Sequence, residues 1–257
     1  MHKFASLAIS TVVLTGCLSI DIGSIRVNDA TLGGGDSGFI AFSTEVQGEE
    51  QPAVVFVPDG YDPDRKWPLV VFLHGMGERG SDGWRQTDVG IGKAIRWNPQ
   101  RFPCLVLMPQ CSESTTWSSA DNPDGAPASK HIDAAIEHVL KTYNLDEDRV
   151  SLTGLSMGGY GTFTYGAENI ERFSALMPVC GGGNPDNAAA LAKRPMWVFH
   201  GGADPVVNPD QSRRMVEAVR NAGGGVQYTE YPGVGHNSWD NAYGDEEAID
   251  WLLTQSR

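Results

Sequence analysis

Residues Gly154-Leu155-Ser156-Met157-Gly158 form a Gly-x-Ser-x-Gly pattern between an apolar run at 149–153 and a helical stretch at 157–167. A serine hydroxyl is a weak nucleophile until a base takes its proton, and that base needs a carboxylate to fix its tautomer. The flanking glycines allow the tight strand-to-helix turn that lifts such a hydroxyl above a sheet. Two further segments supply the missing groups. The apolar run 195–200 leads into His200-Gly-Gly-Ala-Asp204-Pro205, and the run 226–231 leads into Pro232-Gly-Val-Gly-His236-Asn237-Ser238-Trp239. Ser156, His236 and Asp204 are therefore the candidate nucleophile, base and acid. Asp186, after the run 174–179, is the alternative acid. Acyl transfer also needs backbone N–H donors aimed at the developing oxyanion. Met157, directly after the serine, offers one, and Met76 in His74-Gly75-Met76-Gly77 offers the other. His74 itself reads as a structural residue that hydrogen-bonds this loop.

These residues are useful only if the chain brings them to one edge. Apolar runs predict strands at 39–46, 53–58, 69–73, 104–109, 149–153, 174–179, 195–200 and 226–231. Leu69-Val-Val-Phe-Leu73 and Cys104-Leu-Val-Leu-Met108 lack polar alternation, as strands buried on both faces do. Candidate helices lie near 90–97, 129–142, 157–167, 186–193, 209–222 and 245–254. Strands alternating with helices predict an α/β fold, with a mainly parallel eight-stranded sheet covered by helices on both faces. The first two strands, with no helix between them, are expected as an antiparallel edge. Ligands in such sheets bind beyond the carboxyl ends of the strands, where all the candidate residues lie.

Other chemistries fit less well. Gly75-Met-Gly77-Glu-Arg-Gly80 matches a dinucleotide-binding pattern, but Ser81-Asp82-Gly83 is turn chemistry where a helix should open. Asp121-Asn-Pro-Asp124-Gly125 has Ile132 where a calcium loop needs its bidentate Glu. No Cys/His spacing suits zinc, so no metal and no cofactor are expected. The net charge of −13, without any Lys/Arg cluster, argues against a nucleic-acid partner.

The chain has 257 residues. Lys3 and the apolar run 4–15 read as an export signal too short to span a bilayer. Leu14-Thr15-Gly16-Cys17 resembles the bacterial lipobox, which implies cleavage after residue 16 and a lipid on Cys17. The expected organisation is a signal peptide at 1–16, a glycine-rich tether at 17–37 and one catalytic domain at 38–257. The mature protein would sit on the bacterial envelope, touching the membrane only through its lipid. Three cysteines then remain, Cys104, Cys111 and Cys180, an odd number that suggests one disulfide and one free thiol.

Taken together, the motifs resemble the α/β-hydrolase superfamily over residues 39–257. The segments Pro68–Gly80, Pro109-Gln110-Cys111, Pro178-Val-Cys180-Gly and His236-Asn-Ser-Trp239 are similar to exported esterases of the dienelactone-hydrolase and prolyl-oligopeptidase-like type, a group overlapping with feruloyl and acetyl-xylan esterases. The resemblance implies a Ser156–His236–Asp204 triad and hydrolysis of a small-molecule or carbohydrate ester. Dienelactone hydrolases proper carry Cys where Ser156 stands, which favours the ester-hydrolase side of the group. The alternatives are a peptidase or acyltransferase using the same triad, or a non-catalytic carbohydrate- or lipid-binding protein on this scaffold. Cys111 and Cys180 both follow strands facing the site and are the expected disulfide. Trp117 and Trp239 are the candidate pocket walls for an aryl or sugar group. Glu78 and Arg79 are expected to pin the oxyanion loop through a local ion pair.

Overall fold

The computed structural model describes residues 37–117 and 128–257. The expected signal peptide, the expected lipid site Cys17 and the expected tether up to residue 36 lie outside the described residues. The chain from Gly38 forms one eight-stranded sheet in the order β1-β2-β4-β3-β5-β6-β7-β8. β1 (Gly38–Val46) and β2 (Glu49–Val57) form an antiparallel hairpin, and β2 pairs antiparallel with β4 (Leu105–Pro109). The hairpin turns on Gln47 and Gly48 alone, both at positive φ. Two such residues suit the twist of the flanking strands. From β4 onward every pairing is parallel, through β3 (Trp67–Leu73), β5 (Leu145–Leu155), β6 (Ala175–Val179), β7 (Met196–Gly201) and β8 (Val226–Tyr231).

All seven residues of β3 and all five of β4 are buried, as their unbroken apolar runs predict. Leu69, Val71 and Leu73 enter the core on one face of the sheet, and Val70 and Phe72 enter the other. The first face is covered by α2 (Ser129–Thr142), α3 (Met157–Glu168) and α5 (Asp210–Asn221), whose apolar stripes join that core. The second is covered by α1 (Gly90–Trp97), α6 (Trp239–Gly244) and α7 (Glu246–Thr254). The helix expected at 186–193 shrinks to a 3₁₀ turn and the four-residue α4 (Ala188–Leu191).

This order decides the site. β3 and β5 are neighbours with Leu73 opposite Gly154, so the loop after β3 meets the turn after β5. The loops after β7 and β8 emerge at the same carboxyl edge.

Candidate active site

Ser156 sits on the turn between β5 and α3 with φ 54° and ψ −116°, a conformation that side-chain-bearing residues rarely adopt. The backbone is forced there by close packing. A Cβ on Gly158 would lie 1.9 Å from the carbonyl oxygen of Leu73, and one on Gly154 would lie 2.4 Å from that of Gly158. Neither obstacle is a movable side chain. The Gly-x-Ser-x-Gly spacing is thus a steric requirement of three backbones meeting.

The hydroxyl and the two groups expected to act on it converge. Ser156 Oγ is 2.9 Å from His236 Nε2, and His236 Nδ1 is 2.7 Å from Asp204 Oδ2. Asp204 Oδ1 accepts the N–H groups of Val206 at 2.8 Å and Val207 at 3.0 Å, which fixes the carboxylate plane. Burial opposes its charge, but the His236 hydrogen bond and these amides outweigh it and hold the carboxyl below its usual range. Asp186 is exposed in the 3₁₀ turn after β6, its N–H bound to Asn184 Oδ1.

A second imidazole touches the same acid. His200, fully buried, places Nε2 3.3 Å from Asp204 Oδ2 and 2.9 Å from the Val207 carbonyl. Its Nδ1 meets Ser212 Oγ at 2.7 Å, and that hydroxyl donates to the Gly181 carbonyl. His200 therefore ties the Asp204 loop to α5 and to the turn after β6. Sequence reasoning passed over it, although its position four residues before the acid was a usable signal.

The loop after β3 is held mainly by side chains. His74 Nδ1–H donates to the Gly75 carbonyl at 2.6 Å, and Nε2 accepts the Cys111 N–H at 2.9 Å. Burial lowers the imidazole pKa to about 4, so the ring is neutral and can play both parts. Gln110, also missed from sequence, donates to the Glu78 carbonyl and accepts the Gly83 N–H. Arg79 Nε donates to the Met76 carbonyl at 3.3 Å. The expected Glu78–Arg79 ion pair does not form among the described residues, because each side chain turns to loop backbone instead. Burial raises the Glu78 carboxyl above its usual range, against the hydrogen bonds it receives from the Gly75 and Glu78 N–H groups. Gly75 backs onto Ser156, and a Cβ there would stand 3.7 Å from the serine Cβ. Met76 opens a 3₁₀ turn beside the hydroxyl, and Met157 opens α3, whose first N–H groups have no intrahelical acceptor.

A cavity of about 660 Å³ opens over these groups, lined among others by Met76, Glu78, Ser156, Met157, His236 and Trp239. Trp239 stands edge-on to the His236 ring with centroids 5.2 Å apart. Tyr160, Thr116, Val206 and Val207 complete the wall and were not anticipated. Tyr160 lies one helical turn beyond Ser156, so the spacing alone would have found it.

Two further expectations fail. Trp117 is no pocket wall: it is 1% exposed, its Nε1–H donates to the His74 carbonyl at 2.8 Å, and its ring packs edge-on against His74. The indole braces the loop from beneath. Cys111 and Cys180 are not bonded, and all three described cysteines are free and buried. Cys111 follows β4 and packs into the core on one face, whereas Cys180 follows β6 and packs into the other. Three strand spacings separate β4 from β6, about 14 Å, twice the reach of a disulfide. Cys180 instead lies with Asp204 and His236, their potential ligand atoms all within 4.8 Å. Burial pushes its thiol up to about 12, which keeps it protonated and neutral beside the carboxylate.

Over 177 residues the chain is 28% identical to a bifunctional acetylxylan esterase/xylanase of Neocallimastix patriciarum, covering 68% of this chain and 24% of that protein. It is similar to the crystal structure of a thermostable esterase, with 42% identity, a TM-score of 0.77, and coverage of 85% of this chain and 63% of the other. It thus spans a quarter of the curated relative and under two thirds of the esterase. A feruloyl esterase module from Clostridium thermocellum, complexed with sinapinate, shares the fold at 15% identity and a TM-score of 0.65, with 93% and 97% of the two chains covered. The family model for the dienelactone hydrolase family matches residues 109–248, more than half of the sequence, and the chain belongs to that family.

Proposed function

We propose that the protein is a serine carboxylesterase. The observation that carries this reading is the unbroken relay from Ser156 Oγ through His236 to Asp204, at 2.9 and 2.7 Å. His236 Nε2 takes the serine proton as Oγ attacks the ester carbonyl. The tetrahedral oxyanion forms beside the N–H groups of Met76 and Met157. His236 then gives its proton to the leaving alcohol, and the acyl-enzyme is hydrolysed by a water that the same imidazole activates. Asp204 keeps the Nδ1–H tautomer and stabilises the imidazolium between these transfers. No step requires a metal or cofactor.

The substrate class we propose is an ester of a carbohydrate or aryl acid, in keeping with the acetylxylan esterase relative. The cavity, with Trp239 and Tyr160 in its wall, has room for such a group. Hydrolysis of p-nitrophenyl acetate by wild type and Ser156→Ala tests the assignment. A loss of at least a thousandfold is expected on removing the nucleophile, and equal turnover would overturn it. We also propose attachment to the bacterial envelope through a lipid on Cys17. Incorporation of labelled fatty acid by wild type and not by Cys17→Ala is the expected result.

A further inference from the structure

A second cavity of about 380 Å³ lies between α1 and α6, separated from the first by Trp239, which lines both. Its α1 wall is the Lys93, Ala94 and Trp97 face of the helix, and its α6 wall runs from Trp239 and Asp240 to Gly244. At the inner end Gly90 packs so tightly on Leu155 that a Cβ there would approach the leucine to 2.7 Å. Leu155 directly precedes Ser156 and lines the first cavity. The groove therefore begins at the back wall of the active site. It runs outward along α1 from Gly90 to Trp97, roughly 10 Å of helix.

Its outer end carries the least expected residue on the surface. The Trp97 side chain is 89% exposed, where an indole would ordinarily be covered. Around it the groove mixes apolar wall, Ala94, Trp239 and Tyr243, with a few polar groups. Lys93 Nζ and Asp240 Oδ1 pair across the helices at 3.0 Å, both still exposed. Arg101 also lines it: its Nε lies 3.7 Å from Glu246 Oε1, and its Nη2 is buried without a hydrogen-bond partner among the described residues. A flat aromatic face beside fixed donors and acceptors matches a pyranose ring: its C–H face stacks on the electron-rich indole and its hydroxyls meet the charged groups. An acyl chain would offer no hydrogen-bond partner to the exposed Lys93–Asp240 pair, whereas the hydroxyls of a sugar supply one.

We infer that the α1/α6 groove is a sugar-binding subsite, with Trp97 as its stacking platform. It holds the glycan that carries the ester while the acyl group enters the cavity over Ser156. This inference rests on the carboxylesterase reading for its consequence in catalysis, but not for binding itself.

The test uses two esters and one unreactive sugar. In Trp97→Ala the ratio of kcat/KM on acetylated xylo-oligosaccharide to that on p-nitrophenyl acetate is expected to fall about tenfold, mainly through KM, and Trp97→Phe should recover most of it. Calorimetric titration of xylotetraose into Ser156→Ala should show binding that the added Trp97→Ala weakens at least tenfold. Equal loss on both esters, or xylotetraose that binds equally with and without Trp97 or not at all, would overturn the subsite. Trp97-dependent xylotetraose binding by a wild type that cleaves neither ester would uphold the subsite and overturn the esterase reading.

Discussion

The turn that carries Ser156 and the loop that carries Met76 are built on different principles. The turn around Ser156 is fixed by backbone against backbone: Gly154, Gly158 and the Leu73 carbonyl leave no room for a single additional carbon. The loop from Gly75 to Gly80 is fixed by side chains reaching into it, namely His74, Gln110 and Arg79. Steric closure of the first kind is unforgiving and does not depend on pH. Polar pinning of the second kind can be loosened by degrees. Ser156 and the Met157 N–H beside it are thus locked, while the Met76 loop can be tuned.

Substitution at Gly158 should separate the two most sharply. Gly158→Ala places a methyl within 1.9 Å of a main-chain oxygen and should cost more than about 4 kcal/mol, read as a collapse of the urea midpoint or failure to fold. A folded, active Gly158→Ala protein would show that the turn is not locked.

The loop should carry its own share of the pH response, alongside that of His131 on α2, whose pKa burial lowers to about 3. His74 is protonated in the unfolded chain near its ordinary 6.5 but in the folded chain only near 4. Between these values the unfolded state binds more protons. His74's contribution is therefore full above pH 6.5 and is lost as pH falls toward 4, by up to about 3 kcal/mol. Urea titrations at pH 7 and pH 4 should show this slope in wild type, and His74→Gln should lack that part of it.

Gln110→Ala removes two loop contacts without touching substrate. It should lower kcat about tenfold, equivalent to about 1.4 kcal/mol of transition-state stabilisation, with little change in KM. A change in KM alone would show that Gln110 shapes the cavity rather than the donors. The smallest effect is expected for Arg79→Ala, which loses one long hydrogen bond at the surface. Its melting temperature should stay within about 1–2 °C of wild type and its kcat within about threefold.

The sequence made the three groups of the proposed relay legible for a physical reason. Ser156, Asp204 and His236 each follow a buried strand closely, and parallel strands send their ends to one edge. Strand order across the sheet was not legible. Cys111 and Cys180 are both strand-end residues, and only the observed order shows that β3 and β5 stand between them. Trp117 failed for a related reason. Its distance along the chain from the strand end gave no sign that the ring turns beneath the loop to bond the His74 carbonyl. The groove beside Trp97 was equally hidden, since α6 escaped sequence reading and a groove needs both of its walls.

Ser156 occupies a backbone conformation that favours glycine, at a cost of about 1–2 kcal/mol. Any glycine arising at this position relaxes the chain and removes the proposed nucleophile in the same step. Hardier molecules are thus within one substitution of being inert. A library sorted only for survival at high temperature would drift toward sequences that no longer turn over anything, so heat selection on this scaffold must be coupled to an activity screen.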